Sequence, residues 1–374
     1  MYKKEIFGSE NLQVKYLTKV IAFFLLVTKI WSYKTWIADR VYPIIPPVDF
    51  LKHVPDFLHI FLFGFSLLIL MIILFLKENR LLLVVLFLSE LVSCSLDTVR
   101  WQPWEFMYLC ILLLVIINFR KPKNILFLTH LFLVSVYIFS GLHKLNRSFL
   151  SSVWLDVILN DFFGLSLSAI LKYKLFFVGL LIPAIELSLA VLLFLSKSKR
   201  KISYFLIFIH VSILIIIGPF GLKYNSIIWF WNVAMIAILL IVYAKPIEAV
   251  NKTFYIRQSY WLVLWFVMPI FSFFGLWYQY FSSNLYSGKG YQMYICVNNN
   301  NDELKPYLES VNGKLCKDKP YIILQNWAMS EIKSAPIPEL EVYKKISIEV
   351  KKKYGDKNVK VFLHNIETKR TEEL

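Results

Sequence analysis

Residues 57–76 read FLHIFLFGFSLLILMIILFL, an apolar run in which His59 is the only ionisable side chain. A helix of about 20 mostly apolar residues is long enough to cross the roughly 30 Å of hydrocarbon in a bilayer. Similar runs recur along the 374-residue chain, which is 58% hydrophobic and has a mean hydropathy of +0.59. Backbone polar groups in hydrocarbon must be satisfied inside the segment, so the repeated length predicts membrane-spanning helices rather than a barrel.

We predict about nine transmembrane helices, which makes the fold an all-α polytopic membrane bundle. They lie at about Lys15–Trp31, Phe57–Leu76, Leu81–Leu96, Trp104–Phe119, Ile125–Gly141, Leu175–Ser196, Ile202–Gly218, Ser226–Ala244 and Tyr260–Phe281. The polar break at Asp97–Pro103 is short, which leaves eight or ten spans open, and an even number would reverse the side on which the tail lies. No small-residue cleavage site follows the first apolar run, so we expect that run to stay as the first span.

Basic residues concentrate in alternate loops. The richer loops contain Lys77 and Arg80, then Arg120, Lys121 and Lys123, then Lys197, Lys199, Arg200 and Lys201, and finally Lys245, Lys252 and Arg257. The positive-inside rule assigns these loops to the cytoplasm. We therefore expect a membrane protein whose N-terminus is cytoplasmic and whose C-terminus is extracytoplasmic. The low glycine content and the high content of lysine, isoleucine and asparagine fit an AT-rich bacterial genome, so we expect the bacterial inner membrane. The formal net charge of +16 then reports orientation, and we expect no nucleic-acid partner.

The chain divides at the end of the last apolar run into a transmembrane domain, 1–282, and a small α+β extracytoplasmic domain, 283–374. In the tail, Tyr291–Val297, Tyr321–Leu324 and Asn358–His364 have the composition or alternation of strands, and Glu339–Lys353 has that of a helix. Outside the cytoplasm Cys296 and Cys316 can form a disulfide. Cys94 and Cys110 lie within predicted spans, where we expect them to serve packing.

Polar side chains within the spans are the strongest functional signal, because ionisable groups in a bilayer are costly and usually face the bundle interior. Glu90, Cys94, Asp97 and Trp101 share one face of the third span, and His130, Tyr137 and Lys144 recur every seven residues in the fifth. Glu186 and His210 lie in the middle of later spans. Loops that carry Arg100, Glu105, Asn146 and Asn225 emerge on the outer side, so we expect one outward-facing polar cavity.

Bland interpretations remain open for each of these groups. Glu186 and His210 can simply be hydrogen-bond partners that hold helices together. Lys144 can extend to the headgroups, and Arg100 can anchor the chain at the interface. The pair His53 and His59 lacks the cluster that a metal site needs, so we predict no metal. The sequence also lacks phosphate-binding, dinucleotide-binding, nucleophile-elbow and zinc-protease motifs.

The stretch Tyr137-Ile-Phe-Ser-Gly-Leu-His-Lys-Leu-Asn146, followed by Ser148-Phe-Leu and Trp154, resembles the horizontally transferred transmembrane (HTTM) family. Its best-known members are the vitamin K-dependent gamma-carboxylases. The Glu186 helix and the segment Phe208-Ile-His210 fit the same order. The resemblance covers most of the membrane part and does not extend to the tail.

The resemblance implies a role for Lys144, which matches the lysine that deprotonates vitamin K hydroquinone before the quinol is oxygenated. His143 stands where the family has a first lysine. The implied role requires a lysine whose pKa is lowered by desolvation or by a neighbouring cation, which His143 or Arg147 beside an apolar wall could supply. The tail is shorter than the region through which carboxylases bind their protein substrate. Trp104 and Glu105 stand where a catalytic histidine is expected.

The leading hypothesis is an HTTM-like protein whose cavity binds a quinone or another lipidic molecule, and whether it is an enzyme stays open. The expected catalytic residues are Lys144, His143 and His210, and the expected substrate-binding residues are Asp97, Arg100, Glu105, Tyr137, Asn146, Glu186 and Asn225. The alternative is a non-catalytic scaffold that holds an extracytoplasmic partner through its C-terminal domain. A quinone-linked redox subunit of the DoxX type and a transporter fit less well, because paired membrane cysteines and inverted repeats are not evident.

Overall fold

The computed structural model describes residues 9–76, 79–248, 251–298, 301–309, 314–316 and 319–374, so Lys77 lies outside it. Most described residues before the tail are helical. The α-helices are α1 (Glu10–Trp31), α2 (Tyr33–Trp36), α3 (Asp56–Phe75), α4 (Arg80–Ser95), α5 (Pro103–Ile117), α6 (Pro122–Lys144), α7 (Leu167–Lys172), α8 (Leu181–Leu195), α9 (Lys199–Ile217), α10 (Ile227–Val242), α11 (Lys252–Arg257) and α12 (Ser259–Leu262).

Tighter or wider helical turns extend or connect several of these helices. Phe149–Phe162 and Val263–Val267 are π-helical, and the 3₁₀ segments are Asp49–His53, Thr98–Arg100, Leu175–Leu180, Met268–Phe274 and Tyr280–Ser282. The predicted span Tyr260–Phe281 is therefore a succession of short helices. Pro269 contributes to this irregularity, because proline donates no backbone hydrogen bond.

Four described helices are long and apolar enough to cross a membrane. They are Asp56–Phe75, Pro122–Lys144, Leu175–Leu195 and Lys199–Ile217. The apolar helices Pro103–Ile117, Ile227–Val242 and Ser259–Phe274 are shorter, and α4 has only 16 residues. Each predicted span overlaps one helix or several consecutive helical segments, but the count of nine spans stays a prediction.

A small antiparallel sheet forms at the C-terminus, as the sequence predicts. Its strands are β1 (Tyr291–Val297), β2 (Tyr321–Ile323), β3 (Val359–Asn365) and β4 (Thr371–Glu373), in the order β2-β1-β3-β4. Ile295 pairs with Ile322 on one side and Val361 on the other, and these three side chains are buried. Two further helices, α13 (Leu324–Glu331) and α14 (Leu340–Tyr354), complete this part. The sequence predicted β1, β3 and α14 closely and missed α13 and β4.

The chain forms two compact units. The first contains the described residues of Met1–Val27, Leu68–Phe87 and Pro103–Gly288, and the second those of Thr28–Leu67, Leu88–Gln102 and Lys289–Leu374. The second unit thus includes more than the predicted tail domain 283–374. Buried hydrogen bonds explain why: Glu331 accepts the backbone N–H groups of Val41 and Tyr42 at 2.6 and 2.9 Å, and Thr35 Oγ1 donates to the Ile332 carbonyl at 2.7 Å.

A disulfide joins Cys296 in β1 to Cys316, with the Cα atoms 5.5 Å apart. It closes a loop of 20 residues, so we expect the double variant C296A/C316A to lose about 3 kcal/mol of unfolding free energy, mainly because the unfolded chain is freer. Denaturant unfolding of the purified protein, with and without a reductant, measures this loss. The reductant should destabilise the wild type and leave the double variant unchanged. Equal stability of wild type and variant would contradict the prediction.

Candidate functional site

Lys144, in the last turn of α6, forms an ion pair with Glu186 of α8. Its Nζ lies 2.8 Å from Glu186 Oε2 and donates to Ser140 Oγ at 2.6 Å. The two side chains are 14% and 8% exposed. Helices α6 and α8 can approach this closely because residue 141 is glycine: a Cβ there would lie 3.1 Å from the Pro183 carbonyl oxygen. The lysine is therefore held by a carboxylate and does not extend alone to the headgroups.

His210 of α9 lies in a buried chain of hydrogen bonds. Its Nδ1 is 2.7 Å from Asn232 Oδ1, and its Nε2 is 2.8 Å from Tyr137 Oη. The Asn232 amide nitrogen donates to the Ile228 carbonyl, which leaves Oδ1 as the acceptor. With a neutral imidazole, His210 then carries its proton on Nδ1 and accepts the hydroxyl hydrogen of Tyr137 at Nε2.

The ion pair and this chain of hydrogen bonds form one cluster. Glu186 lies close enough to Tyr137 and His210 to interact electrostatically with both, and Lys144 interacts with His210 in the same way. We call Tyr137, Lys144, Glu186, His210 and Asn232 the acid–base cluster. Four of its members were predicted from the sequence. The fifth, Asn232, was missed, although a polar side chain within an apolar run is the same signal that singled out Glu186.

His143 contacts the segment Met268–Phe274, although it is adjacent to Lys144 in the sequence. Its Nε2 lies 3.1 Å from Ser272 Oγ, and its ring stacks on Phe273 with the centroids 4.3 Å apart. Consecutive residues of an α-helix point about 100° apart, so the two side chains contact different elements. These contacts favour a packing role for His143 over the catalytic role that the sequence predicted.

Asn146 connects the end of α6 to the last residues of the first unit by hydrogen bonds. Its Nδ2 donates to the carbonyls of His143 and Ser287 at 2.6 and 3.1 Å, and its Oδ1 accepts the Phe149 N–H. The next residue after Ser287 is Gly288, with φ at +71°, and a Cβ there would lie 2.3 Å from the Ser148 carbonyl oxygen. Asn146, which we expected to bind substrate, therefore fixes the backbone at Ser287. The following position requires glycine, because a larger residue would clash with the Ser148 carbonyl.

Asn225 and Glu105 also belong to the first unit. Asn225 donates to Tyr286 Oη at 3.2 Å, which ties the loop before α10 to the residues before Gly288. Glu105 is fully buried in the first turn of α5. The Asn225 side chain is thus used outside the acid–base cluster, and the predicted role of Asn225 and Glu105 in substrate binding stays a hypothesis.

Arg100 is fully buried in the second unit, and protein acceptors occupy its donor positions. The guanidinium donates to the carbonyls of Thr35, Trp36 and Ser93 at 3.0, 3.0 and 2.9 Å, to Ser93 Oγ, and to His59 Nδ1 at 2.7 Å. Burial lowers the pKa of Arg100 to about 10, so it stays charged at neutral pH. This arrangement favours a structural role over substrate binding.

Asp97, the neighbour of Arg100 in the sequence, is also used within the second unit. It forms an ion pair with Arg40, and its Oδ1 accepts the backbone N–H of Ile45 at 3.1 Å. A second buried pair joins Lys29 Nζ to Glu90 Oε2 at 2.8 Å. Lys29 was missed by the sequence analysis, although a lysine inside an apolar run is a signal. Arg40 lies in a polar segment, where no local sequence pattern distinguishes a buried arginine from an exposed one.

Among the described residues, no group of three or more His, Cys, Asp or Glu side chains is placed to hold a metal ion. Comparison with protein-family models, curated proteins and solved structures finds no match for this chain. The function is therefore argued from the geometry of the acid–base cluster.

Proposed function

We propose that this chain is a multi-pass inner-membrane protein that binds a quinone-like lipidic molecule at the acid–base cluster. The observation that carries the proposal is the Lys144–Glu186 ion pair, which joins the end of one helix able to cross a membrane to the middle of another. The proposed orientation places the N-terminus in the cytoplasm and the C-terminal domain outside. The resemblance to the HTTM family adds quinol oxygenation, or carboxylase-like chemistry, as the reaction class to test.

The cluster offers both partners that a quinol needs. Lys144 is an ammonium donor with 14% of its side chain still exposed, and Glu186 beside it is a carboxylate acceptor. A quinol hydroxyl can donate to the carboxylate, while the ammonium donates to an oxygen of the same ligand. Desolvation by the surrounding helices strengthens both interactions.

This geometry revises the role of the lysine that the resemblance implied. An ammonium paired with a carboxylate has no lone pair to accept a proton, so Glu186 is the acceptor when a quinol O–H bond breaks. Lys144 then stabilises the resulting quinolate oxygen, as a fixed cation does for a developing anion. His210 positions the Tyr137 hydroxyl through the hydrogen bond at Nε2.

We expect a quinone to co-purify with the wild-type protein and to be lost from K144A and E186Q. Losing one charge-assisted hydrogen bond of about 1.5–3 kcal/mol lowers retention by about tenfold or more. Native mass spectrometry with lipid extraction on the detergent-purified protein measures the bound fraction.

The matched control is H130F. His130 lies in α6, as Lys144 does, and the substitution removes its buried hydrogen bond to Tyr243. Residue 130 lies roughly 20 Å along α6 from Lys144, so H130F should retain the ligand. Loss in all three variants would indicate a general packing defect. No quinone in any sample would contradict the proposal and favour the scaffold hypothesis, and a search for a partner of the C-terminal domain would follow.

A further inference from the structure

Three ionisable side chains of α6 lie in a row along one face of the helix. His130, Tyr137 and Lys144 are seven residues apart, so neighbours are separated by roughly 10 Å along the helix axis and by only about 20° around it. Each of the three contacts an ionisable side chain outside α6 at 2.8 Å. The partners are, in the same order, Tyr243, His210 and Glu186. We call these six side chains the α6 stripe.

All six side chains of the α6 stripe can gain or lose a proton, since they are imidazoles, phenols, an ammonium and a carboxylate. Contacts that only hold membrane helices together can be made by Ser, Thr, Asn or Gln, which carry no ionisable group. Ionisable side chains are more costly inside a bilayer, and chains of them mark proton relays. Three consecutive pairs of such groups on one helix face therefore indicate more than helix packing.

The middle pair interacts with the pairs on either side of it. Helical Cα–Cβ bonds lean toward the N-terminus, so Lys144 leans toward Tyr137. The Lys144 ammonium accordingly contacts Ser140 Oγ, one turn before it, at 2.6 Å. Tyr137 lies close enough to Glu186 and to Tyr243 to interact electrostatically with both. The three pairs thus form one continuous series.

The α6 stripe has a more accessible charged group at each end. Lys144 is 14% exposed at one end. At the other end the half-buried Lys199, at the start of α9, interacts electrostatically with His130. From His130 to Lys144 the stripe extends roughly 20 Å along α6, most of the thickness of a hydrocarbon core. The side chains between the two lysines include four that are buried, which are His130, Tyr137, His210 and Tyr243.

We propose that the α6 stripe conducts protons across the membrane-spanning bundle, between the Lys144–Glu186 pair and the His130–Tyr243 pair. Water bridges successive pairs, as it does between polar groups in protein interiors. Each transfer breaks one N–H or O–H bond on the donating group and forms one on the accepting group. The path rests on the proposed membrane crossing of α6 but not on a quinone. It also gives Glu186 a route by which a proton taken from a quinol leaves toward the side proposed as cytoplasmic.

Proton flux into liposomes that contain the purified full-length protein and an entrapped pH-sensitive dye tests this proposal. A pH step drives the flux, valinomycin with potassium holds the membrane potential at zero, and no quinone is added. We expect the wild type to dissipate the pH difference faster than empty liposomes do. We expect H130N to reduce the rate to that of empty liposomes. Asparagine can keep the hydrogen bond to Tyr243, but its amide does not titrate, so a purely structural role of His130 predicts no loss.

Two further variants complete the design. Y243F keeps the ring and removes only the hydroxyl, and it should lose the flux as H130N does. The control is S135A, which removes the hydroxyl that donates to the Phe132 carbonyl. Ser135 is also buried in α6, but it lies about 160° around the helix from Tyr137. S135A should keep the wild-type rate.

Three results would overturn the proton path. They are a wild-type rate equal to that of empty liposomes, wild-type rates in both H130N and Y243F, and loss of the flux in S135A as well. Melting temperatures close to that of the wild type establish that each variant is folded. Flux that depends on His130 and Tyr243, together with no quinone in any purified sample, would support the path and contradict only the proposed ligand.

Discussion

Replacing Arg100 with methionine is expected to destabilise the second unit strongly. The variant leaves the Trp36 carbonyl and the Nδ1 atom of His59 buried without a donor, whereas the Ser93 carbonyl keeps the N–H of Leu96. Each of the two unsatisfied groups costs about 1–3 kcal/mol, so the total reaches about 4 kcal/mol, a large part of the whole stability of many domains. Thermal unfolding in mild detergent, followed by tryptophan fluorescence, measures the loss.

Two further variants separate the causes of this effect. R100K keeps the charge but not the planar fork of five donors, and should recover only a small part of the stability. R370M removes an exposed arginine of the same unit and should change stability by less than about 0.5 kcal/mol. An R100M protein with the same melting temperature as the wild type would refute the structural role of Arg100.

The second large effect is expected for E90L. Glu90 and Lys29 are 0% and 1% exposed, and the substitution leaves the lysine buried without its counter-ion. Breaking a buried pair in this way costs about 3–5 kcal/mol. The Lys29 ammonium also lies 3.1 Å from the centroid of a ring of Trp36, but one aromatic ring does not replace a carboxylate. Denaturant unfolding in detergent micelles measures the cost.

The double variant K29M/E90L is expected to restore most of this stability, because two apolar side chains of similar size can replace a buried pair at little cost. The control is E349L, which breaks the more exposed pair between Glu349 and Lys52, with exposures of 22% and 35%. It should cost less than about 1 kcal/mol. A double variant as unstable as E90L alone would show that the charges act separately.

The helices and the sheet could largely be predicted because their signals are local. The run Ile125–Gly141 lies within α6, and the alternation at Tyr291–Val297 gives the bounds of β1. Periodicity alone defines such elements. Elements with weak patterns were missed. The three-residue strand β4 has only exposed side chains, so it has no alternation to detect.

Four of the five members of the acid–base cluster could be predicted, but the pairing between them could not. The intramembrane rule singled out Lys144, Glu186 and His210 one at a time. Their contacts depend on how α6, α8 and α9 pack, which the sequence does not encode locally. Arg100 and Asn146 were predicted to bind substrate, but in the structure both donate to backbone carbonyls. An isolated polar residue near a helix end fits either role, and the sequence does not distinguish them.

The second unit combines segments from the beginning and the end of the chain, which the ribosome synthesises at different times. The backbone N–H groups of Val41 and Tyr42 are satisfied by Glu331, and Thr35 donates to Ile332. At about 5–20 residues per second on the ribosome, these early segments wait on the order of ten seconds or more for their partners. A truncated product that stops before α13 would leave these groups unpaired, and cellular quality control would have an early marker of an incomplete chain.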